Sequence, residues 1–247
     1  MATAVSKAFS VLRLIRKSQT VSVSEVARAL HTAASTAHAI LADLQAQGAV
    51  TQDNDKRYRL GPTTFYLGAA FARAAPISRG IWNELTDLSR DLSLTATIAV
   101  PWEGHHLILN VHQDGDGEIE VAFGGRVPID AGSWGKAYHA WALVEPDAQR
   151  KFTPNSITDL DEYRAQVERV RERGYATDNE EFTIGIGAVA AGVTSEFGFE
   201  GVASLIGPIS QVSEIGFDAV GRRLAGVASR ASFALGDMRR MKVLGIE

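Results

Sequence analysis

The stretch SVSEVARALHTAASTAHAILADLQAQG, residues 22–48, decides the fold. Ser22-Val23-Ser24-Glu25 has the form of a capping box: the Ser22 hydroxyl accepts from the Glu25 N–H while the Glu25 carboxylate reaches back to the Ser22 N–H. A short helix then runs from about Val23 to Leu30, burying Val26, Ala27 and Leu30. His31-Thr32-Ala33 make a turn. Ala34 to Gln47 read as a longer helix with Ala37, Ile40, Leu41 and Leu44 on its core face. Gly48 stands where a left-handed residue closes a helix. Two helices joined by a three-residue turn, the second longer and polar outside, form the helix-turn-helix pattern.

The pattern extends outward in both directions. Upstream, Val5, Ala8, Phe9, Leu12 and Ile15 recur at helical spacing and predict a helix over roughly 4–17. Downstream, a short strand (Ala49 to Gln52), an acidic turn (Asp53-Asn54-Asp55) and a basic strand (Lys56 to Leu60) predict a β-hairpin wing. Pro62 ends that unit, because the residue before a proline is driven to extended geometry. Leu67, Ala70, Phe71 and Ala74 then stripe a linker helix. The chain thus divides into a winged helix-turn-helix domain at 1–61, a linker helix at 62–75 and a larger body at 76–247.

Charge follows the same division. The chain has 247 residues, a formal net charge of −4 and no Cys. Residues 1–61 carry +4 and the remainder −8, so a basic head that suits a polyanion sits on an acidic body. The absence of Cys excludes disulfides, thiolate metal sites and a Cys nucleophile. No apolar run reaches the roughly 18 residues of a membrane span, and the N-terminus lacks the cationic start and apolar core of a signal peptide. These features predict a cytoplasmic protein.

Between His31 and Gln47 there is no Lys or Arg. Ser35, Thr36, His38 and Ala39 occupy the outer face of the second helix, where they suit base edges and thymine methyls but neutralise no phosphate. His38 is either a pH-sensitive contact or a plain polar one. Electrostatic affinity for double-stranded DNA is therefore assigned to Arg28, Lys56, Arg57 and Arg59, with Lys7 as a further candidate.

The body reads as helix, strands, two helices, strands, helix, an α+β order. Ile81, Leu85, Leu88 and Leu92 stripe the first helix. Strands are predicted over Thr95 to Val100, Leu107 to Val111, Ile119 to Phe123, Ile186 to Val193 and Gly201 to Ile206, and helices over Leu160 to Arg173 and Phe217 to Leu235. Turns fall at Glu103-Gly104 and at Asp114-Gly115-Asp116-Gly117. His105, His106, His112 and Asp114 make a weak metal motif, because adjacent strand residues face opposite ways; no metal is expected. Gly185, Gly187 and Gly192 lack the strand-to-helix context of a dinucleotide loop. Asp178, Glu180 and Glu181 suit a solvated acidic loop better than a catalytic pair, and no nucleophile elbow is present.

These segments resemble the IclR-type transcription regulators. Val23-Ser24-Glu25-Val26-Ala27 is similar to the family's second helix, Ser35-Thr36-Ala37-His38-Ala39-Ile40-Leu41 to its recognition helix, and Tyr58-Arg59-Leu60-Gly61 with Leu67-Gly68 to its wing and linker. In the body, Pro128 to Ala137, Arg173 to Glu181, Ala190 to Val193 and Ser204 to Pro208 are similar to further family segments, in order, over about residues 5–235. The chain departs at Ala39, where relatives commonly carry Arg, at Asp130, often His, and at Gly132, often a hydroxyl residue. Trp134 is larger than usual, and Ala188 and Ile206 replace positions that are more polar in relatives.

The resemblance implies a GAF-like α/β effector-binding domain with a pocket lined by Ala131, Gly132, Ser133, Trp134, Asp178, Ile186, Ala188, Ser204 and Ile206. The amide groups after Ser133 suit a carboxylate, as a helix start does. Trp134 is either a pocket wall or a core or interface residue, and Asp178 either bonds a ligand hydroxyl or caps its following turn. The apolar Ala188 and Ile206 favour an aromatic or longer apolar acid. The resemblance further implies no enzyme and no cofactor, a palindromic operator, and a homodimer or dimer of dimers. The competing reading is a metabolic enzyme acting on a small organic acid, with a helix-turn-helix-like head.

Overall fold

The computed structural model describes residues 3–113, 119, 121–147 and 149–236. It divides into two compact units between Arg73 and Ala74.

The first unit holds α1 (Ala4–Ser18), α2 (Val23–Ala29), α3 (Ala34–Ala46), β1 (Val50–Gln52), β2 (Tyr58–Leu60) and all but the last residue of α4 (Pro62–Ala74). The capping box forms with both arms: Glu25 N donates to Ser22 Oγ at 3.3 Å, and Ser22 N to Glu25 Oε2 at 2.6 Å. Gly48 takes φ +66 and closes α3. β1 and β2 pair as an antiparallel wing, and Val21 adds a bridge to Tyr58 on its outer side. Val11, Ile15, Val21, Val26, Ala37, Leu41, Val50 and Tyr58 make the core.

Two apolar stripes differ from expectation. In α1 the buried residues are Val11 and Ile15, while Val5 and Phe9 are 66% and 59% exposed. The small core contacts only the second half of α1, which packs on α3 and β2. The helix α4 forms as predicted but buries none of its residues, leaving Phe65, Tyr66, Leu67 and Phe71 in solvent. Its start is tied to the end of α3, where Thr63 Oγ1 donates to the Gln47 carbonyl at 2.9 Å.

The second unit is a six-stranded antiparallel sheet between two helical layers. Its elements are α5 (Pro76–Leu92), β3 (Thr95–Trp102), β4 (His105–His112), β5 (Arg126–Pro128), α6 (Gly132–Trp141), α7 (Leu160–Arg173), β6 (Ala176–Asn179), β7 (Ile186–Ser195), β8 (Gly198–Pro208), α8 (Ile209–Ile215) and α9 (Phe217–Ala234). The strand order is β5-β4-β3-β8-β7-β6. Side chains alternate across the sheet. Val189, Ala191, Ala203 and Leu205 face α5, α8 and α9. Ala188, Ala190, Val202 and Ile206 face α6 and α7.

Of the predicted strand over Ile119 to Phe123, the described residues Ile119 and Val121 to Phe123 form no strand. Ala122 to Gly125 make a tight turn instead, with Gly125 N donating to the Ala122 carbonyl and Gly124 at φ +70. The chain then pairs with β4 as β5, an element the sequence reading missed, as it also missed β6 and α8. Glu120 and the predicted turn at Asp114 to Gly117 lie outside the described residues. Pro76, read as a stop for the linker helix, is also the first residue of α5.

Candidate ligand cavity and nucleic-acid interface

In the second unit a cavity of about 380 Å³ opens beside the start of α6. Ala131 precedes that helix and has no side chain able to cap it, so the first-turn amides of α6 keep the donor capacity of an open helix start. Seven of the nine predicted residues line the cavity: Ala131, Ser133, Trp134, Asp178, Ile186, Ala188 and Ile206. Ile108, Val121, Arg126, Val127, Phe182 and Thr183 also line it and were missed. Val121 to Val127 lie where a turn and edge strand replaced the predicted strand, so their inward direction was not readable from alternation.

Gly132 and Ser204 are not among the walls. Ser204 is fully buried and bonds Thr97 Oγ1 at 2.6 Å, while Trp134 Nε1 donates to the Ser204 hydroxyl at 2.7 Å. Ser204 thus fixes the indole that forms the wall. Trp134 is both core and wall, since one side of it packs among buried residues and the other borders the cavity. Gly132 takes φ +46, and a Cβ there would lie 2.0 Å from Asp178 Oδ2. The space a hydroxyl side chain would need is filled by that carboxylate.

Asp178 caps the turn after β6. Its Oδ1 accepts from Glu181 N at 2.7 Å and from Phe182 N at 3.4 Å. Burial, aided by the nearby Glu181 charge, pushes its carboxyl up to about 6, against the pull of Lys136 and the two amides. Lys136, on α6, is itself buried and holds Glu181 through both carboxylate oxygens at 2.7 and 2.8 Å. A buried ion pair of this kind costs desolvation that only good geometry offsets. Here Thr153 and Ser156 also donate to the Glu181 carbonyl. The acidic loop is therefore a structured support of the cavity.

Asp130 is paired with Arg150. Burial raises the Asp130 carboxyl, but Arg150 donates to both oxygens and holds it below the usual range. His105 and His106 lie on opposite faces, as strand geometry requires. His106 is fully buried, bonds the Ile129 carbonyl through Nε2 at 3.1 Å, and is pushed down to about 4 by burial. No group of metal-binding side chains occurs among the described residues.

In the first unit Ser35, Thr36, His38 and Ala39 are all exposed along α3. Arg28, Lys56 and Arg59 are exposed as well. Arg57 is placed differently: its Nε donates to Thr20 Oγ1 at 2.9 Å, and Nη2 to the Thr20 carbonyl at 3.2 Å and to Glu25 Oε2 at 2.9 Å. Its guanidinium is committed within the head.

A winged helix-turn-helix unit joined to a sheet unit with a largely apolar cavity defines a DNA-binding regulator with a small-molecule domain. The family profiles agree. The one described as "Bacterial transcriptional regulator IclR C-terminal" matches residues 71–233, and the IclR helix-turn-helix domain matches residues 4–54. The chain belongs to the IclR family of transcriptional regulators; it is a DNA-binding transcription factor and not an enzyme. It is similar to the HTH-type transcriptional regulator BhcR of Paracoccus denitrificans, with 28% identity over 94% of this chain and 87% of that one. The crystal structure of an IclR transcriptional regulator from Alicyclobacillus acidocaldarius has 28% identity and a TM-score of 0.79, covering 96% of this chain and all of that chain. An IclR homolog from Microbacterium hydrocarbonoxydans, solved in complex with 4-hydroxybenzoate, shares the fold at a TM-score of 0.75 with 18% identity, covering 87% of this chain and 91% of that one. No helix among the described residues is long and apolar enough to cross a membrane.

Proposed function

We propose that the cavity takes a small organic acid with an aromatic or extended apolar body, and that this acid controls operator binding. The observation that carries the reading is an uncapped helix start opening into an apolar cavity. The carboxylate sits at the amides of Ser133 and Trp134 and beside the Ser133 hydroxyl, as anions do at helix starts. Ile108, Val127, Ile186, Ala188 and Ile206 receive the body, and Trp134 supplies an aromatic wall. The neighbouring fold that holds 4-hydroxybenzoate supports the aromatic choice. Asp178 faces the polar end, and Ser204 and Gly132 act from behind the wall.

On the DNA side, Ser35, Thr36, His38 and Ala39 read base edges while Arg28, Lys56 and Arg59 meet phosphates. The protein works in the cytoplasm as a homodimer on a palindromic operator, with a dimer of dimers as the larger assembly. The exposed apolar residues of α1 and α4 supply the dimer surface. Residues 1–61 form the DNA-binding domain, 62–75 the linker and 76–247 the effector domain. Effector coupling to DNA affinity in such systems is typically about 1–3 kcal/mol.

The test is a gel shift on the DNA flanking its own gene, with and without acids that raise the melting temperature in a thermal screen. The expected result is a shift at low salt that a stabilising aromatic acid alters. Failure of every aromatic and apolar acid to stabilise the protein, while a short aliphatic keto acid does, overturns the assignment.

A further inference from the structure

We propose that Arg57 is a positioning residue that latches the wing to the start of α2, rather than a contact to DNA phosphate. The inference rests on the DNA-binding role of the head.

Arg57 is the residue before the wing's second strand, where a basic side chain is ordinarily read as a phosphate ligand. Its guanidinium instead spans three acceptors on two other segments. Thr20, in the α1–α2 connection, accepts through its hydroxyl and its carbonyl at 2.9 and 3.2 Å. Glu25, in the first turn of α2, accepts at 2.9 Å. The same oxygen, Glu25 Oε2, also accepts from Ser22 N at 2.6 Å and Ser22 Oγ at 3.0 Å. One carboxylate oxygen therefore joins the capping box of α2 to the wing.

The wing turn is built to deliver Arg57 to that place. Asp53 Oδ1 accepts from the Arg57 amide at 2.8 Å and from the Asp55 amide at 3.1 Å. Lys56 takes φ +58 at the apex and stays exposed, so the two adjacent basic residues part: Lys56 outward, Arg57 inward. One position further, Tyr58 and Val21 exchange backbone bonds at 2.8 and 2.9 Å. The bridge sets the wing against Val21, and the guanidinium fork joins the neighbouring Thr20 to Glu25 of α2. Nη2 alone spans the Thr20 carbonyl and Glu25 Oε2, and the planar fork adds Nε on the Thr20 hydroxyl, so an ammonium placed at Nη2 leaves the third acceptor without its bond.

The two roles give opposite results in one experiment. The full-length protein is titrated onto a fixed duplex over a salt series, using Arg57→Ala, Arg57→Lys, Thr20→Val and Lys56→Ala. A phosphate contact contributes about 0.9 to the slope of log affinity against log salt. As a latch, Arg57→Ala lowers affinity about three- to tenfold with the slope unchanged. Arg57→Lys falls with it, because charge without the fork does not restore the latch. Thr20→Val, which changes no charge, lowers affinity about two- to threefold in the same slope-preserving way. Lys56→Ala alone flattens the slope. Amide hydrogen exchange in 50–60 rises in Arg57→Ala and in Thr20→Val, while exchange in α3 does not. A lower slope in Arg57→Ala, restored by Arg57→Lys, overturns the proposal, as does wild-type affinity in Thr20→Val. A wild-type protein that fails to shift any duplex at low salt overturns the DNA-binding role itself, and is thereby distinct from both.

Discussion

Replacing Gly132 with Ala tests how the cavity mouth is held. Gly132 opens α6 at φ +46, and an added Cβ would lie 2.0 Å from Asp178 Oδ2, 2.7 Å from its Cγ and 3.3 Å from its Cβ. Three contacts to one side chain cannot be relieved by a small rotation, so Asp178 must withdraw. It then loses the bonds to Glu181 N and Phe182 N. A buried donor left unpaired costs about 1–3 kcal/mol, and holding a residue with a side chain in left-handed geometry costs about 1–2 kcal/mol more. The sum is about 2–5 kcal/mol, which for a unit of this size lowers the melting temperature by roughly 5–15 °C. Gly185→Ala is the matched control. Gly185 has φ +81 but nothing within 4 Å of a built Cβ, so only the backbone cost of about 1–2 kcal/mol remains. Differential scanning calorimetry compares the two, with hydrogen exchange over 180–184 reporting whether the Asp178 turn has opened. If Gly132→Ala melts no lower than Gly185→Ala, the reasoning that the carboxylate occupies the space of a side chain is refuted.

Three further outcomes are expected. Asp178 has a folded-state carboxyl near 6 against an ordinary value of 3.8, so the protonated form is favoured by folding. Its stabilising contribution is full below about 4 and is lost as pH rises through 6, a fall of about 3 kcal/mol. Asp178→Asn flattens that segment of melting temperature against pH; an unchanged profile refutes it. By the same charge, an acid effector binds more tightly as pH drops from 7 through 6, and calorimetric titration shows this dependence disappear in Asp178→Asn. Ser204→Ala removes the shared partner of Trp134 Nε1 and Thr97 Oγ1, costing about 1–3 kcal/mol and altering Trp134 fluorescence, although Ser204 does not border the cavity. Wild-type stability and emission would show that the indole is held by packing alone.

The head was legible almost residue by residue because its signals are local. A capping box, a left-handed glycine and a turn of three residues each report on neighbours in the chain. What local pattern did not disclose is which face of a helix finds a partner. Val5, Phe9, Leu67 and Phe71 have the same periodicity as buried residues, yet the small core stops at Val11. Periodicity marks an apolar face and leaves its partner unspecified. Arg57 illustrates the same limit for charge. Residue type and position suggest a phosphate ligand, while the hydrogen bonds behind the proposed latch, to Thr20 and Glu25, span 37 and 32 residues of sequence.

The cavity divides along the same line. Ala188 and Ile206, which the family resemblance places at the pocket, sit on regular strands and line the cavity. Residues 121–127 could not be placed from the sequence pattern, because the Ala122–Gly125 turn breaks alternation before β5 begins. Arg126 and Val127 therefore escaped notice, though both border the space. Ser204 shows the converse. Its register opposite Ala190 and Thr97 was readable in principle, but its hydroxyl is used by Trp134 and Thr97, which places it behind the wall. The apolar character inferred from Ala188 and Ile206 thus stands on wall residues. The polarity of the site depends instead on groups reached through the fold: the first-turn amides of α6, the Asp178 carboxyl against Gly132, and the Lys136–Glu181 pair behind it. An acid bound at the α6 start meets a carboxyl whose own charge burial disfavours, so the cavity is most receptive to an anion when Asp178 is protonated.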